Sequence, residues 1–218
     1  LRKTLDIQRR VLGEEPPDTL ASMNNLADVL LRQGRYAEAE ELALKTLGIQ
    51  RRVLSEANPY TLVSMVTLAE VLIKKGEPQE AEPLLNEALK IRQATLPDNR
   101  ADVAYAQSVL GECLTAQGRF DEAEPLLVGA YDAIKDRGDA WTVDKRRALQ
   151  RIIHLYEKWD AAEPGKGYAE KAAEWRAKLD ELNAETQKRK NAETGEGTRH
   201  EGIARASPAT QGTTGSYV

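Results

Sequence analysis

The side chains best suited to chemistry in this sequence are few and lie far apart along the chain. It contains two histidines, His154 and His200, and one cysteine, Cys113. No group of histidine, cysteine and carboxylate residues has the spacing of metal ligands. The sequence therefore predicts no metal site, no cofactor and no catalytic centre.

The stretch Pro164-Gly165-Lys166-Gly167 has a weak similarity to a phosphate-binding loop. Asp160 stands where that motif has its first glycine, and Gly167 stands where a serine or threonine would hold Mg²⁺. We therefore expect this stretch to be a flexible loop between helices.

The charge and composition of the chain exclude several classes of protein. With 31 basic and 35 acidic residues the net charge is −4, which is a poor match to the phosphates of a nucleic acid. One cysteine excludes an internal disulfide framework and favours a reducing, cytoplasmic location. No apolar run approaches the roughly 18 residues that cross a bilayer, so no membrane association is expected. Because the first residue is Leu1, we expect the sequence to be a piece of a longer protein.

A repeat with a period of 42 residues organises most of the chain. Residues 46–54 (TLGIQRRVL) match residues 4–12 (TLDIQRRVL), 42 positions earlier. The same shift aligns three glycines and three Glu-Ala-Glu triplets, namely Gly34, Gly76 and Gly118 and the triplets centred on Ala39, Ala81 and Ala123. A regular period of this length predicts stacked repeats.

Each copy of the repeat has apolar residues at three- and four-residue steps, the spacing of one helix face. A glycine such as Gly34 then ends the first helix, because glycine adopts the left-handed conformation without strain. The pattern predicts first helices at about 19–33, 61–75, 101–117 and 142–158 and second helices at about 36–54, 78–95, 120–136 and 168–182. We therefore predict an all-α protein, a right-handed α-solenoid of about four helix–turn–helix repeats.

The domain boundaries follow from the same alignment. We predict a repeat array over residues 1–182, with a partial repeat at 1–15 and repeats at about 18–58, 60–98, 100–138 and 141–182. The fourth copy contains all three tryptophans, Trp141, Trp159 and Trp175, which is typical of a terminal cap. Cys113 replaces a valine of the earlier copies, so we expect a half-buried, inert thiol. Residues 184–218 are polar, and we predict that they form a disordered tail.

The repeated motif L-A-x6-G-x-Y/F-x-E-A-E resembles the tetratricopeptide repeat. The 42-residue spacing, with NNLA, QGRYAEAE and PDTL, is similar to the longer variety found in kinesin light chains and many bacterial proteins. The resemblance spans about residues 1–182. It implies a non-catalytic protein–protein interaction scaffold that binds a peptide or a partner helix in a concave groove lined by the first helices.

The resemblance also implies which positions of each copy face that groove. They are Ala21, Asn24, Asp28, Leu31 and Arg32 in the first copy, Val63, Val66, Glu70, Ile73 and Lys74 in the second, Tyr105, Ser108, Glu112, Thr115 and Ala116 in the third, and Arg147, Gln150, His154, Glu157 and Lys158 in the fourth. Asn25 is added because an asparagine side chain can both donate to and accept from a ligand's backbone. The lysine and asparagine with which chaperone-binding relatives clamp a terminal carboxylate are replaced here by Asn24 and Asp28, which disfavours that ligand.

Two other interpretations remain open from the sequence. The third and fourth copies look similar to the carboxy-terminal regions of bacterial serine/threonine protein kinases, so the chain could be the sensor or docking arm of a kinase. The kinase motifs themselves are not in this sequence. Alternatively, the chain self-associates through its amino-terminal edge, where Leu5, Val11 and Leu12 would be exposed.

Overall fold

The computed structural model describes residues 2–95 and 100–194, and within these ranges the chain is helical and has no strand. The described helices are α1 (Arg2–Leu12), α2 (Pro17–Arg32), α3 (Tyr36–Val53), α4 (Pro59–Lys75), α5 (Pro78–Thr95), α6 (Arg100–Ala116), α7 (Phe120–Asp132), α8 (Thr142–Ala162) and α9 (Tyr168–Thr194). A short 3₁₀ turn, Asp139–Trp141, precedes α8. The all-α fold and the paired helices of each repeat are therefore confirmed.

Local sequence signals set where the helices begin and end. Pro17 and Pro59 are the first residues of α2 and α4, where a missing N–H group costs nothing. The Asn58 side chain accepts a hydrogen bond of 3.0 Å from the Tyr60 backbone N–H, which caps α4. Gly76 ends α4 with φ of 88°, a left-handed conformation that strains other residues. These signals recur because the repeat recurs.

Successive hairpins pack on one another through two kinds of helix contact. Helices α2, α4 and α6 each pack against the second helix of their own repeat and against the preceding one, for example α4 on both α5 and α3, and α8 packs against α7. The first helices α2, α4, α6 and α8 also contact one another in succession. We call the surface formed by these four helices the inner face. A continuous core follows this stacking from Ala27 to Trp159.

Small residues allow the two helices of a repeat to approach closely. Ala39, Ala81 and Ala123 are fully buried, as their alignment in the repeat predicts. The tightest contact is at Gly111 on α6, where an added Cβ would lie 2.5 Å from Cγ of Leu127 on α7. A side chain at Gly111 would therefore force α6 and α7 apart.

Aromatic rings fill the core of the fourth repeat. Trp159 stacks on Tyr168 and Phe120, with ring centroids 4.2 and 5.6 Å away. Trp175 meets the ring of Tyr131 edge-on at 5.5 Å. These contacts join α7, α8 and α9 through one aromatic cluster; that the fourth repeat is a terminal cap remains a prediction.

The last helix corrects the predicted boundaries. By contacts the chain divides into two units, Leu1–Leu179 and Asp180–Val218, and α9 continues in the second unit to Thr194. The helix end predicted at 182 and the disorder predicted from residue 184 are therefore wrong as far as Thr194. Residues 184–194 are polar but rich in alanine, glutamate and lysine, which favour helix. The remainder of the predicted tail, 195–218, lies outside the described residues.

Smaller differences concern α7 and Cys113. Helix α7 ends at Asp132, four residues before its predicted end. The Cys113 side chain is fully buried rather than half-buried.

Candidate binding groove

A groove of about 470 Å³ lies on the inner face and extends from the first repeat to the fourth. Six of the residues predicted to face the groove in the first three copies line it, namely Asp28, Leu31, Arg32, Glu70, Lys74 and Glu112. Three residues of α8 that the resemblance implied, Arg147, Gln150 and His154, line it as well. The groove thus brings together residues that are more than 120 positions apart in the chain, because the first helices lie side by side.

Arg151 on α8 organises the charged residues at the floor of the groove. Its Nη2 donates to Oε1 of Glu70 on α4 at 2.5 Å, and its Nε donates to Oε2 of Glu112 on α6 at 2.6 Å. The remaining Nη1 donates to Oγ of Ser108 at 3.2 Å. The Arg151 side chain is only 11% exposed, and both carboxylates are 12% exposed. Such charges are stable in a protein interior only when they are paired and hydrogen-bonded, as here.

Two further side chains complete this network. The Tyr105 hydroxyl donates to Oε2 of Glu70 at 2.8 Å, and Nζ of Lys74 donates to Oε1 of Glu112 at 2.6 Å. We call Glu70, Lys74, Tyr105, Ser108, Glu112 and Arg151 together the Arg151 network. Every carboxylate oxygen in the network has a donor, so its charged groups are fixed in position before any ligand arrives.

Burial raises and ion pairing lowers the pKa values of the two carboxylates of the network, Glu70 and Glu112. Burial raises the pKa of Glu70, and the attraction of Arg151 offsets this only in part. Burial also raises the pKa of Glu112, but Arg151 and Lys74 together outweigh it and leave that pKa below its ordinary value. Burial and the neighbouring Glu70 hold the pKa of Tyr105 well above its ordinary value, so its hydroxyl remains a donor.

A second cavity, of about 260 Å³, adjoins the groove and shares Arg147 and Arg151 with it. Three more predicted binding residues, Val63, Tyr105 and Ser108, line this cavity. The rest of its wall is largely apolar and includes Ala104, Ile134 and Trp141. It could accept an apolar side chain beside the polar groove.

Asn24, Asn25 and Val66 lie outside both cavities. Val66 is only 1% exposed and belongs to the core, so the expectation that it faces a ligand is wrong. Ser108 is 3% exposed, and its hydroxyl is already held by Arg151. Oδ1 of Asn24 accepts a hydrogen bond of 3.1 Å from Ser64 of the next repeat, whereas Asn25 is exposed. Two residues implied by the resemblance, Ile73 and Thr115, are buried too.

Arg151 was not identified from the sequence, because the groove-facing positions come from the resemblance to the tetratricopeptide repeat and Arg151 is at none of them. In the earlier copies the position of Arg151 is occupied by Asn25, Thr67 and Val109, which gives no hint of a charged role. A signal was present nonetheless. Glu70 and Glu112 occupy the same position in successive first helices, and two carboxylates on one inner face need a cation between them.

The residues considered for chemistry make other contacts in the structure. Sγ of Cys113 donates to the carbonyl of Pro78 at 3.1 Å, and burial raises the pKa of this thiol. Lys166, in the stretch considered as a phosphate loop, pairs with Glu163 at 2.8 Å. Over residues 2–95 and 100–194, no group of three or more His, Cys, Asp or Glu side chains could hold a metal ion. No described helix has the length and apolar character to cross a bilayer.

The amino-terminal helix differs from the prediction at one residue. Leu5 is 1% exposed and packs with Leu20 and Met23 of α2, so the expectation that it is exposed is wrong. Val11 and Leu12 are exposed as predicted.

Known proteins with similar folds include two crystal structures of a Podosopora anserina protein, proposed to be a kinesin light chain with nearly identical TPR-like repeats. One, which carries a point substitution, is 27% identical, with a TM-score of 0.57 over 86% of this chain and 85% of that chain. The other is 26% identical, with a TM-score of 0.56 over 85% of each chain. BtubC (BKLC) from P. vanneervenii shares the fold at 18% identity, with a TM-score of 0.60 over 98% of this chain and 78% of that chain.

The sequence comparison with families agrees with the structural one. No curated protein matches the chain significantly in sequence. The tetratricopeptide repeat family, however, matches it over residues 1–52, 18–94 and 60–136, which together span more than half of its length. This repeat fold is typical of non-catalytic scaffolds for protein interactions. With its stacked hairpins and its inner groove, the chain belongs to the tetratricopeptide repeat family.

Proposed function

We propose that the chain is a non-catalytic scaffold whose inner groove binds an extended peptide or a helix of a partner protein. The observation that supports this most strongly is the contrast between the floor and the wall of the groove. The floor is occupied by the Arg151 network, whose polar groups are paired with one another. Along the wall, the side chains of Arg147, Gln150 and His154 make no hydrogen bond or ion pair with other described residues.

Such a surface suits a peptide for two physical reasons. The floor is fixed by paired charges, so ligand binding would order few protein side chains and would lose little conformational entropy. The wall supplies donors and acceptors that can pair with a backbone or with polar side chains. The adjoining apolar cavity can hold an anchoring side chain, which is how grooves commonly gain affinity for a peptide.

A photo-crosslinking experiment tests this proposal. Benzoyl-phenylalanine placed at Gln150, in the groove, should crosslink the partner in a lysate of the source organism. The same group at Lys90, on the exposed surface of α5, is the matched control and should not crosslink it. Equal crosslinking at the two positions, or crosslinking at Lys90 alone, would contradict groove binding.

The finer predictions from the sequence remain predictions. A cytoplasmic location is one of them. The alternative role as docking arm of a protein kinase is another, and the coding sequence upstream of Leu1 tests it directly.

A further inference from the structure

We infer that Arg151 is a positioning residue of the groove, which ties α8 to both α6 and α4 and so makes the second, third and fourth repeats open as one unit. This inference deepens the proposed function, and it rests on that function only for the role of the groove in binding. The tie itself is a property of the free protein and can be tested without a ligand.

The tie is unusual because it passes beyond the neighbouring repeat. In a stack of repeats each unit ordinarily contacts only the next one, and stability is a sum of nearest-neighbour terms. Helices α4 and α8 make no direct helix contact in the described chain, since α6 lies between them. The Arg151 side chain nevertheless reaches Glu70, 81 positions earlier in the sequence.

The chemistry of the guanidinium group explains why arginine can do this. Its planar fork presents several donors in fixed directions, so one side chain can bind two carboxylates on different helices. The Arg151 guanidinium also lies 5.7 Å from the centre of the Tyr105 ring, which faces the same space. A lysine would supply the charge but not two fixed directions. Methionine fills a similar volume but would leave Glu70 and Glu112 buried without their cation.

Several charged groups face the network from the helices around it. They are Glu70 and Lys74 on α4, Tyr105 and Glu112 on α6, Asp28 and Arg32 on α2, Arg92 on α5, and Asp144, Arg147 and His154 on α8. Removing Arg151 takes away the cation that directly contacts both Glu70 and Glu112. The carboxylates of an Arg151→Met variant would therefore bind protons more readily, and acidification should relieve part of the defect.

Thermal unfolding of matched variants tests the tie. Arg151→Met should lower Tm by about 10 °C, because a buried pair loses one partner. Arg51→Met is the matched control, since Arg51 also contacts two carboxylates, Glu56 and Glu87, but at an exposed site. It should lower Tm by less than about 2 °C.

Tryptophan fluorescence shows whether Arg151 couples the fourth repeat to the others or only stabilises the chain as a whole. All three tryptophans lie in the fourth repeat, so tryptophan fluorescence follows that repeat whereas far-UV circular dichroism follows the whole chain. In the wild type the two transitions should coincide. In Arg151→Met the fluorescence transition should come first, because the fourth repeat has lost its connection to the second.

Further variants keep the test decisive if Arg151→Met does not fold. Glu70→Ala removes the tie from Arg151 to α4, together with the hydrogen bond from Tyr105, and leaves the contact of Arg151 with Glu112 in place; it should separate the two transitions with a smaller change in Tm. The triple variant Arg151→Met/Glu70→Gln/Glu112→Gln removes the buried cation and both buried carboxylate charges together and should recover part of the lost Tm without restoring coincidence. The Tm deficit of Arg151→Met should also shrink as the pH falls from 7 to 5.

Two outcomes would overturn the inference. One is that the transitions still coincide in both Arg151→Met and Glu70→Ala. The other is that Arg151→Met and Arg51→Met change Tm equally. Crosslinking from position 150 then separates the two proposals. If no partner is crosslinked in the otherwise wild-type protein, the result contradicts groove binding but not the tie. If a partner is crosslinked there but not in Arg151→Met, the result supports the role of Arg151 in positioning the groove.

Discussion

Helix α1 and the fourth repeat pack on the hairpins between them in different ways. Helix α1 is held mainly by one buried residue, Leu5, and leaves Ile7, Val11 and Leu12 more than half exposed. The fourth repeat buries Trp159 among three aromatic rings. The Arg151 side chain of this repeat also contacts Glu112 of the third repeat and Glu70 of the second across the inner face.

The difference shows how a repeat that departs from the regular pattern can be stabilised. The second and third repeats contact hairpins on both sides, so the regular pattern of leucine and alanine is enough. In the fourth repeat large aromatic rings fill the apolar core instead. Departures from the repeat pattern are therefore informative, because they mark where the array needs something that the regular pattern does not supply.

The largest expected effect concerns the aromatic cluster. Trp159→Ala should lower the free energy of unfolding by about 3–5 kcal/mol, since it leaves a cavity among stacked rings. Urea denaturation followed by circular dichroism measures this loss. Trp159→Phe is the control and should cost much less; equal losses in the two variants would mean that the cluster does not cap the array.

A smaller loss in the free energy of unfolding is expected for a substitution in α1. Leu5→Ala should lower the free energy of unfolding by about 2 kcal/mol, near the lower limit for a buried leucine, because α1 makes its close helix contacts with α2 and can relax. Hydrogen exchange should show faster opening of α1 with little change in the fourth repeat. Ile7→Ala, at an exposed position of the same helix, serves as the control, and an equal effect there would contradict this account of α1.

The fourth repeat should also respond to acid through Glu124. Burial raises the pKa of Glu124, but hydrogen bonds from Tyr156 and Lys171 outweigh it and lower that pKa. The group therefore contributes stability that is present above its unfolded pKa, about 4.3, and is lost as the pH falls through the lower folded value. For a partly exposed group we expect about 0.5 kcal/mol. Glu124→Gln should be less stable than the wild type at pH 7, and the difference should shrink as the pH falls below about 4.3.

The smallest effect on stability is expected at the exposed face of α1. Val11→Asp should change the free energy of unfolding by less than about 0.5 kcal/mol. If the predicted self-association uses this face, sedimentation should show a concentration-dependent dimer that the substitution removes. If the wild-type protein sediments as a monomer at all concentrations, these exposed residues do not mediate self-association.

Most of the fold could be predicted because the 42-residue period constrains many residues at once. The glycine turns, the proline entries and the helix bounds up to residue 95 all follow from aligning the copies. The end of α9 could not be predicted in this way, because α9 has no later copy to align with. Its polar sequence was interpreted as disordered, although alanine, glutamate and lysine favour helix without a core.

The groove was harder to predict than the fold. Asp28, Arg32, Glu70, Lys74 and Glu112 line the groove because their positions follow the register of the first helices; that they bind a partner remains a prediction. Val66 was misplaced because α4 is buried over more of its surface than one helix face. The role of Arg151 depends on where three helices meet, and no single copy of the repeat contains that information.

The burial of Cys113 has a practical consequence for measuring the motions considered above. It is the single cysteine of the chain, and its thiol is enclosed between α6 and the start of α5. A maleimide added to the folded protein should therefore leave it unmodified. Cysteines introduced at two exposed positions, one on α1 and one on α9 before residue 179, would then carry fluorescent dyes without any background, and energy transfer between them would report directly how the array opens.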